Sequence, residues 1–152
     1  MATLLDEFNL YLTNLKPAID TVLAKDVAPV VVDRIESASE ENVYQAYNRT
    51  LYEPRGSLKE DSTYSSSAAG QTLTITAHVM SNPDQPGWGP YVAIEISDII
   101  TNGEYYGPRW SASEIYKKQP YPRPWMQPGL EDAISDGSAE RALETGLNAM
   151  GY

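Results

Sequence analysis

The sequence contains no cysteine, one histidine and one phenylalanine among its 152 residues. Without cysteine there is no disulfide, no thiolate nucleophile and no thiolate metal site. A single imidazole excludes a histidine cluster for zinc and leaves no second ring for a proton relay. Long apolar runs are missing too. The longest, Val27 to Val32, spans six residues and contains Pro29, far short of the ~20 that a membrane-spanning helix needs. The opening MATLLDEFNL holds two acids and no base, whereas a secretory leader begins with a basic region. The chain is therefore expected to be soluble and intracellular when made. Positive charge is scarce, with 11 Lys and Arg against 21 Asp and Glu and a net charge of -10. Non-specific duplex binding needs a basic face to neutralise phosphates, so this balance disfavours it. The scarcity is also local: residues 61–108, 48 in succession, contain no lysine or arginine.

What is present reads as one domain, residues 1–152, of a length that supports a hydrophobic core. Leu4, Leu5, Phe8, Leu12, Leu15, Ile19, Val22 and Leu23 recur at the three-and-four spacing of an apolar helical stripe. Thr3 with Asp6 and Glu7 predicts the helix cap. Pro17 predicts a division, with a short helix ending near Asn14 and a second starting at the proline. Pro29 predicts a kink in that second helix, which runs to about Ile35. The Ser37-Ala-Ser-Glu-Glu segment reads as a cap or turn, and Val43 to Tyr47 fits either helix or strand. Thr63 to Ala69 reads as an edge strand, Gly70-Gln71 as a turn, and Thr72 to Met80 as a strand with Leu73, Ile75, Ala77 and Val79 on one face. After the Pro- and Gly-rich loop around Trp88, Tyr91 to Ile100 predicts a short helix closed by Gly103. A final helix follows from Gly129, weakened at Gly137 and Ser138. The order predicts an α+β fold, a small antiparallel sheet packed against N-terminal and C-terminal helices. Its regions are 1–36 helical, 43–128 sheet with long aromatic and proline loops, and 129–150 the C-terminal helix.

No catalytic constellation emerges. His78 sits in the strand opposite Leu73, Ile75 and Ala77, where it reads as a structural or solvated side chain. Asp132 and Asp136, and Glu140 and Glu144, share helical faces at four-residue spacing. Such pairs could bind calcium or divide acid and base roles in a hydrolase, but they read more simply as a solvent-facing acidic stripe. No phosphate loop, nucleophile elbow or zinc-protease motif is present. The chain is expected not to be an enzyme and to use no cofactor or metal.

The aromatic content is distinctive: eleven tyrosines and three tryptophans. Amphipathic aromatics suit surfaces where one end packs and the other stays wet. Trp88, Tyr91, Tyr105, Tyr106, Arg109, Trp110, Tyr116, Tyr121, Arg123 and Trp125 are therefore expected at subunit or partner contacts. An aromatic-lined module binding a peptide or glycan would use such residues in the same way, and it stands as the alternative function.

Three stretches together carry a resemblance. Val43-Tyr-Gln-Ala-Tyr-Asn-Arg-Thr-Leu-Tyr-Glu-Pro-Arg-Gly-Ser-Leu58 resembles the front half of small structural proteins of tailed phages of Gram-positive hosts and their prophages. Tyr121-Pro-Arg-Pro-Trp-Met-Gln-Pro-Gly-Leu130 is similar to the segment before their last helix. Between them, Pro90 to Ile96 is similar to the segment that follows their alternating strand. These proteins form the minor tail or tail-completion group, and the resemblance covers about residues 40–150. Val43, Tyr44, Tyr47, Tyr52, Arg55 and Pro124 fall on its structural motifs, with Arg123, Pro124 and Trp125 matching the segment that fixes the final helix. Where relatives often carry two adjacent arginines, this chain has Pro54-Arg55.

The resemblance implies a virion component of the head–tail neck, assembled in the host cytoplasm as a ring of its own subunits, hexameric or dodecameric. Its neighbours would be a head-proximal connector or portal-associated protein and the tail tube or tail terminator. DNA would pass through the lumen without specific binding. Asp61, Asp84, Glu95, Asp98 and Glu104, all in the base-free stretch, are the candidate lumen acids.

Overall fold

The computed structural model describes residues 3–45, 57–60, 63–78 and 124–152. Helix α1 (Leu4–Val22) opens on a complete capping box. Thr3 Oγ1 accepts from the Asp6 N–H at 3.2 Å, and Asp6 Oδ2 accepts from the Thr3 N–H at 2.8 Å. These bonds occupy donors that a helix start otherwise leaves open, and they hold the Asp6 carboxyl below its usual range.

The division expected at Pro17 does not occur, because α1 runs through it. Proline lacks the N–H that would bond the carbonyl four residues back. That carbonyl belongs to Thr13, which is exposed, so water can serve it. The irregularity falls instead at Leu23–Val27, a wide turn in which the Ala28 N–H reaches back to Leu23 O. Pro29 then occupies the first turn of α2 (Ala28–Ser39), where its missing donor costs little.

The Ser37-Ala-Ser-Glu-Glu segment is also helix rather than cap or turn. Ser37 Oγ donates to Asp33 O at 2.9 Å and Ser39 Oγ to Glu36 O at 2.7 Å. Hydroxyls satisfied on their own preceding turn do not compete with the helix. A second wide turn, Glu40–Tyr44, extends the helical region beyond residue 36 and resolves the ambiguity at Val43 in favour of helix.

A short 3₁₀ turn (Ser57–Lys59) precedes the hairpin of β1 (Tyr64–Ala69) and β2 (Thr72–Ala77). The strands are antiparallel, with Tyr64 opposite Ala77 and Ala69 opposite Thr72. Gly70 and Gln71 take φ of 59° and 61°, the doubly left-handed geometry of a two-residue turn that matches strand twist. The Gln71 N–H donates to Asp20 Oδ1 at 2.6 Å, tying the hairpin tip to α1. Leu73, Ile75 and Ala77 pack on the helical core from one face, as their alternation predicts.

The C-terminal region begins earlier than residue 129 and comprises two helices, α3 (Met126–Ser135) and α4 (Ser138–Ala149). Gly137, at φ 71°, makes the break. Asp136 fastens it: the Ser138 N–H donates to Oδ1 at 2.8 Å, and Arg34 Nη2 of α2 lies 2.6 Å from Oδ2. Hydrogen bonds from Ser138, and after them the Arg34 charge, hold the Asp136 carboxyl below the usual aspartate range. A lowered carboxyl contributes stability that is present above the ordinary aspartate value of about 4 and lost as pH falls through the lower folded-state value. Urea unfolding at descending pH is accordingly expected to show a shallower acid loss in Asp136→Asn than in the unaltered chain. Equal slopes would remove Asp136 from the acid response.

The core gathers Val22, Val27, Val31, Ile35, Val43, Leu58, Trp125 and Ala133. The molecule is thus α+β, a small antiparallel sheet packed against flanking N- and C-terminal helices. At its centre Trp125 Nε1 donates to Tyr64 Oη at 3.2 Å, and Tyr64 Oη donates to Leu58 O at 2.7 Å. The relay joins the 3₁₀ turn and the start of β1 to the approach of α3, 61 residues further on, and each buried polar atom in it has a partner.

Candidate interaction surface

The stripe that directs α1 into the core does so only along its second half. Ala18 and Val22 are buried, but residues 3–14 are all exposed. Leu4 is 85% exposed, Leu5 66%, Phe8 56% and Leu12 37%. The three-and-four spacing of Leu4 to Leu23 identifies the stripe but cannot tell whether a helix outruns the body it packs on. Surface leucines standing singly need no explanation, but an aligned set that continues a core-facing stripe marks a contact surface. Tyr11 meets the last residue, Tyr152, with ring centroids 5.8 Å apart and planes inclined at 56°, so the arm's base is braced against the C-terminus.

Beside that base lies a groove of about 650 Å³ between the α1–α2 junction and α4. Val30, Ala142, Ala149 and Met150 supply its apolar lining, and Lys25 and Arg141 also border it. Neither cation is in an ion pair among the described residues. Gly146 permits the approach of α4 to α1, since a Cβ there would collide with Val22 Cγ1 and lie 2.8 Å from Asp26 Oδ2. An isolated glycine on a helical apolar face was the available signal for such a crossing.

Few of the residues singled out from sequence fall in this surface. Trp125, expected at a contact surface, is wholly buried and is corrected to a core residue. Its indole found a hydroxyl inside the molecule, which removes the usual reason for an amphipathic ring to stay at a wet boundary. Val43 is a core residue as well, whereas Pro124 is exposed at the approach to α3. Tyr44 lies in the second wide turn. Tyr47, Tyr52 and Arg55 lie outside the described residues. So do Trp88, Tyr91, Tyr105, Tyr106, Arg109, Trp110, Tyr116, Tyr121 and Arg123, the acids Asp61, Asp84, Glu95, Asp98 and Glu104, and the segment Tyr91 to Ile100.

His78 is exposed, with Nε2 3.4 Å from Ser65 Oγ on the outer face of the hairpin. Asp132, Glu140 and Glu144 face solvent. Asp132 and Asp136 do not share one helix, because α3 ends at Ser135. Among the described residues no group of three His, Asp or Glu side chains is placed to hold a metal ion, and no helix is long and apolar enough to cross a membrane. From Thr63 to His78 there is no charged side chain, and the outward residues Ser65, Ser67, Thr74 and Thr76 present hydroxyls.

No curated protein and no solved structure matches the chain. The family model YomN does match, over residues 5–149, from the exposed arm to the end of α4. With nearly its whole length covered, the chain belongs to the YomN family, a phage-associated family of proteins.

Proposed function

We propose that this chain is a virion structural subunit that completes or joins the tail at the phage neck, acting through protein contacts and not through catalysis. The observation that carries the reading is membership of a phage-associated family across residues 5–149. The ordered motifs between Val43 and Leu130 support the finer position at the neck. The uncovered apolar arm of α1 supports a subunit that works by contact. In this reading copies of the chain close into a ring between a head-proximal connector and the tail tube or terminator. The base-free residues 61–108 line a channel through which DNA slides, because like charge and neutral hydroxyls offer phosphates nothing to grip.

The test is made on purified particles of the phage that encodes the chain. Tagged protein is expected at the head–tail junction by electron microscopy, and a null mutant is expected to yield filled heads and free tails. Absence of the chain from purified particles, or normal joining in the null, would overturn the proposal.

A further inference from the structure

We propose that the exposed arm of α1, residues 3–14, docks into the groove between the α1–α2 junction and α4 of a second copy of this chain. The inference rests on the ring reading only for the closing of the circle, since arm and groove are observed features of one subunit. The arm cannot fill its own groove. Thr21 lines that groove, and α1 continues unbroken from Thr21 to Leu4, which carries the tip about 25 Å away along the axis. An arm seated in the groove must therefore come from another molecule.

Shape and charge both fit. The arm's exposed span of 12 residues equals the length of α4, and an apolar helix face laid along an apolar groove is a recurrent mode of recognition. Over residues 3–15 the arm carries Asp6 and Glu7 and no base. The groove is bordered by two cations, Lys25 and Arg141, and one acid, Asp26; Asp6 is engaged by Thr3, which leaves Glu7 to meet Lys25 or Arg141. Parallel pairing of two arms would instead set the acids of both tips against each other. The contact joins two different patches, so it propagates from copy to copy and closes as a ring where the rotation allows.

The absence of native cysteine makes a direct test available. Full-length chains carrying Phe8→Cys and Ala149→Cys are mixed under mild oxidant, with Phe8→Cys plus Gln127→Cys on exposed α3 as the control. A disulfide-linked heterodimer is expected in the first mixture and not in the control. Cross-linking of Phe8→Cys chains chiefly to each other would replace groove docking with arm pairing, and equal linking in both mixtures would overturn it.

Sedimentation of the full chain supplies the second readout. Glu7→Lys is expected to weaken self-association roughly tenfold, with only a small fall in Tm from placing a base in the first turn of α1. Combining it with Lys25→Glu and Arg141→Glu is expected to restore association. A chain monomeric at every concentration overturns the docking, as does self-association indifferent to these charges. The location of the protein in particles decides the neck reading separately.

Discussion

Trp125→Ala is expected to cost about 3–5 kcal/mol of folding stability, the range for emptying a buried aromatic site. For a chain of this length that corresponds to a fall in Tm of roughly 6–20 °C, a large share of the total for an ordinary domain. The residue is 0% exposed, and it packs among Val31, Ile35, Leu58 and Ala133 in one core cluster. The cost has two separable parts. Trp125→Phe keeps most of the apolar contact but removes the N–H that Tyr64 Oη accepts, and its expected cost is about 1–2 kcal/mol. Tyr64→Phe removes the acceptor of the indole N–H and one of the donors to Leu58 O, which keeps Ser39 Oγ at 3.4 Å, so it is expected to cost more than a solvent-exposed hydroxyl would. Denaturant melts of the three variants check the order. A Trp125→Ala chain as stable as the parent would mean that the indole is not in the core.

Gly129→Ala is expected to destabilise the fold, although alanine is the better helix former by about 1 kcal/mol. A Cβ at Gly129 would collide with Ile35 Cα, and it would lie 2.6 Å from Ile35 N and 2.8 Å from Arg34 O. All three are backbone atoms of α2, and α2 packs chiefly against α3. No rotamer change relieves the overlap, so the two helices must part and the core between them opens. The overpacking cost of about 1–3 kcal/mol or more outweighs the helix gain. Gly146→Ala meets side-chain atoms of Val22 and Asp26 instead, and side chains can turn aside, so a smaller loss is expected. Gly70→Ala meets nothing within 4 Å and bears only its left-handed φ, worth about 1–2 kcal/mol. Thermal unfolding should rank these variants with Gly129→Ala the least stable; a milder effect there than at Gly146 would contradict the backbone crossing.

Features settled by neighbours in sequence were legible in advance. Thr3 and Asp6 stand three apart and cap α1 as that spacing requires. Gly70-Gln71 makes the tight turn, and the alternation of Leu73, Ile75 and Ala77 sets the buried face of β2. Features settled by distant parts of the chain were not. Pro17 looked like a break because the sequence does not show that the carbonyl it deprives is on an exposed residue. The wide turns at Leu23–Val27 and Glu40–Tyr44 come from how the helices settle on the core, and no local residue type announces them. Gly129 and Gly146 carry no side-chain signal, and only the crossing of two helices explains them. Trp125 was assigned to a surface by the general habit of its residue type, which a single internal hydroxyl overrode. The exposed arm was hidden in plain pattern: Leu4 to Leu15 has the same periodicity whether or not anything lies beneath it.

The relay of Leu58, Tyr64 and Trp125 also sets a schedule for biosynthesis. The indole and the hydroxyl it meets are 61 residues apart in the chain, and contacts of such separation form late because the loop between them must first be closed. Trp125, Gly129 and Ala133, which complete the packing against α2, are translated after all the helices and strands they cover. The apolar faces of α2 and the hairpin therefore emerge from the ribosome before their cover exists, which is the condition under which nascent chains aggregate or recruit chaperones. Truncation ahead of residue 124 is expected to leave a nascent chain that binds chaperone and not a smaller folded protein.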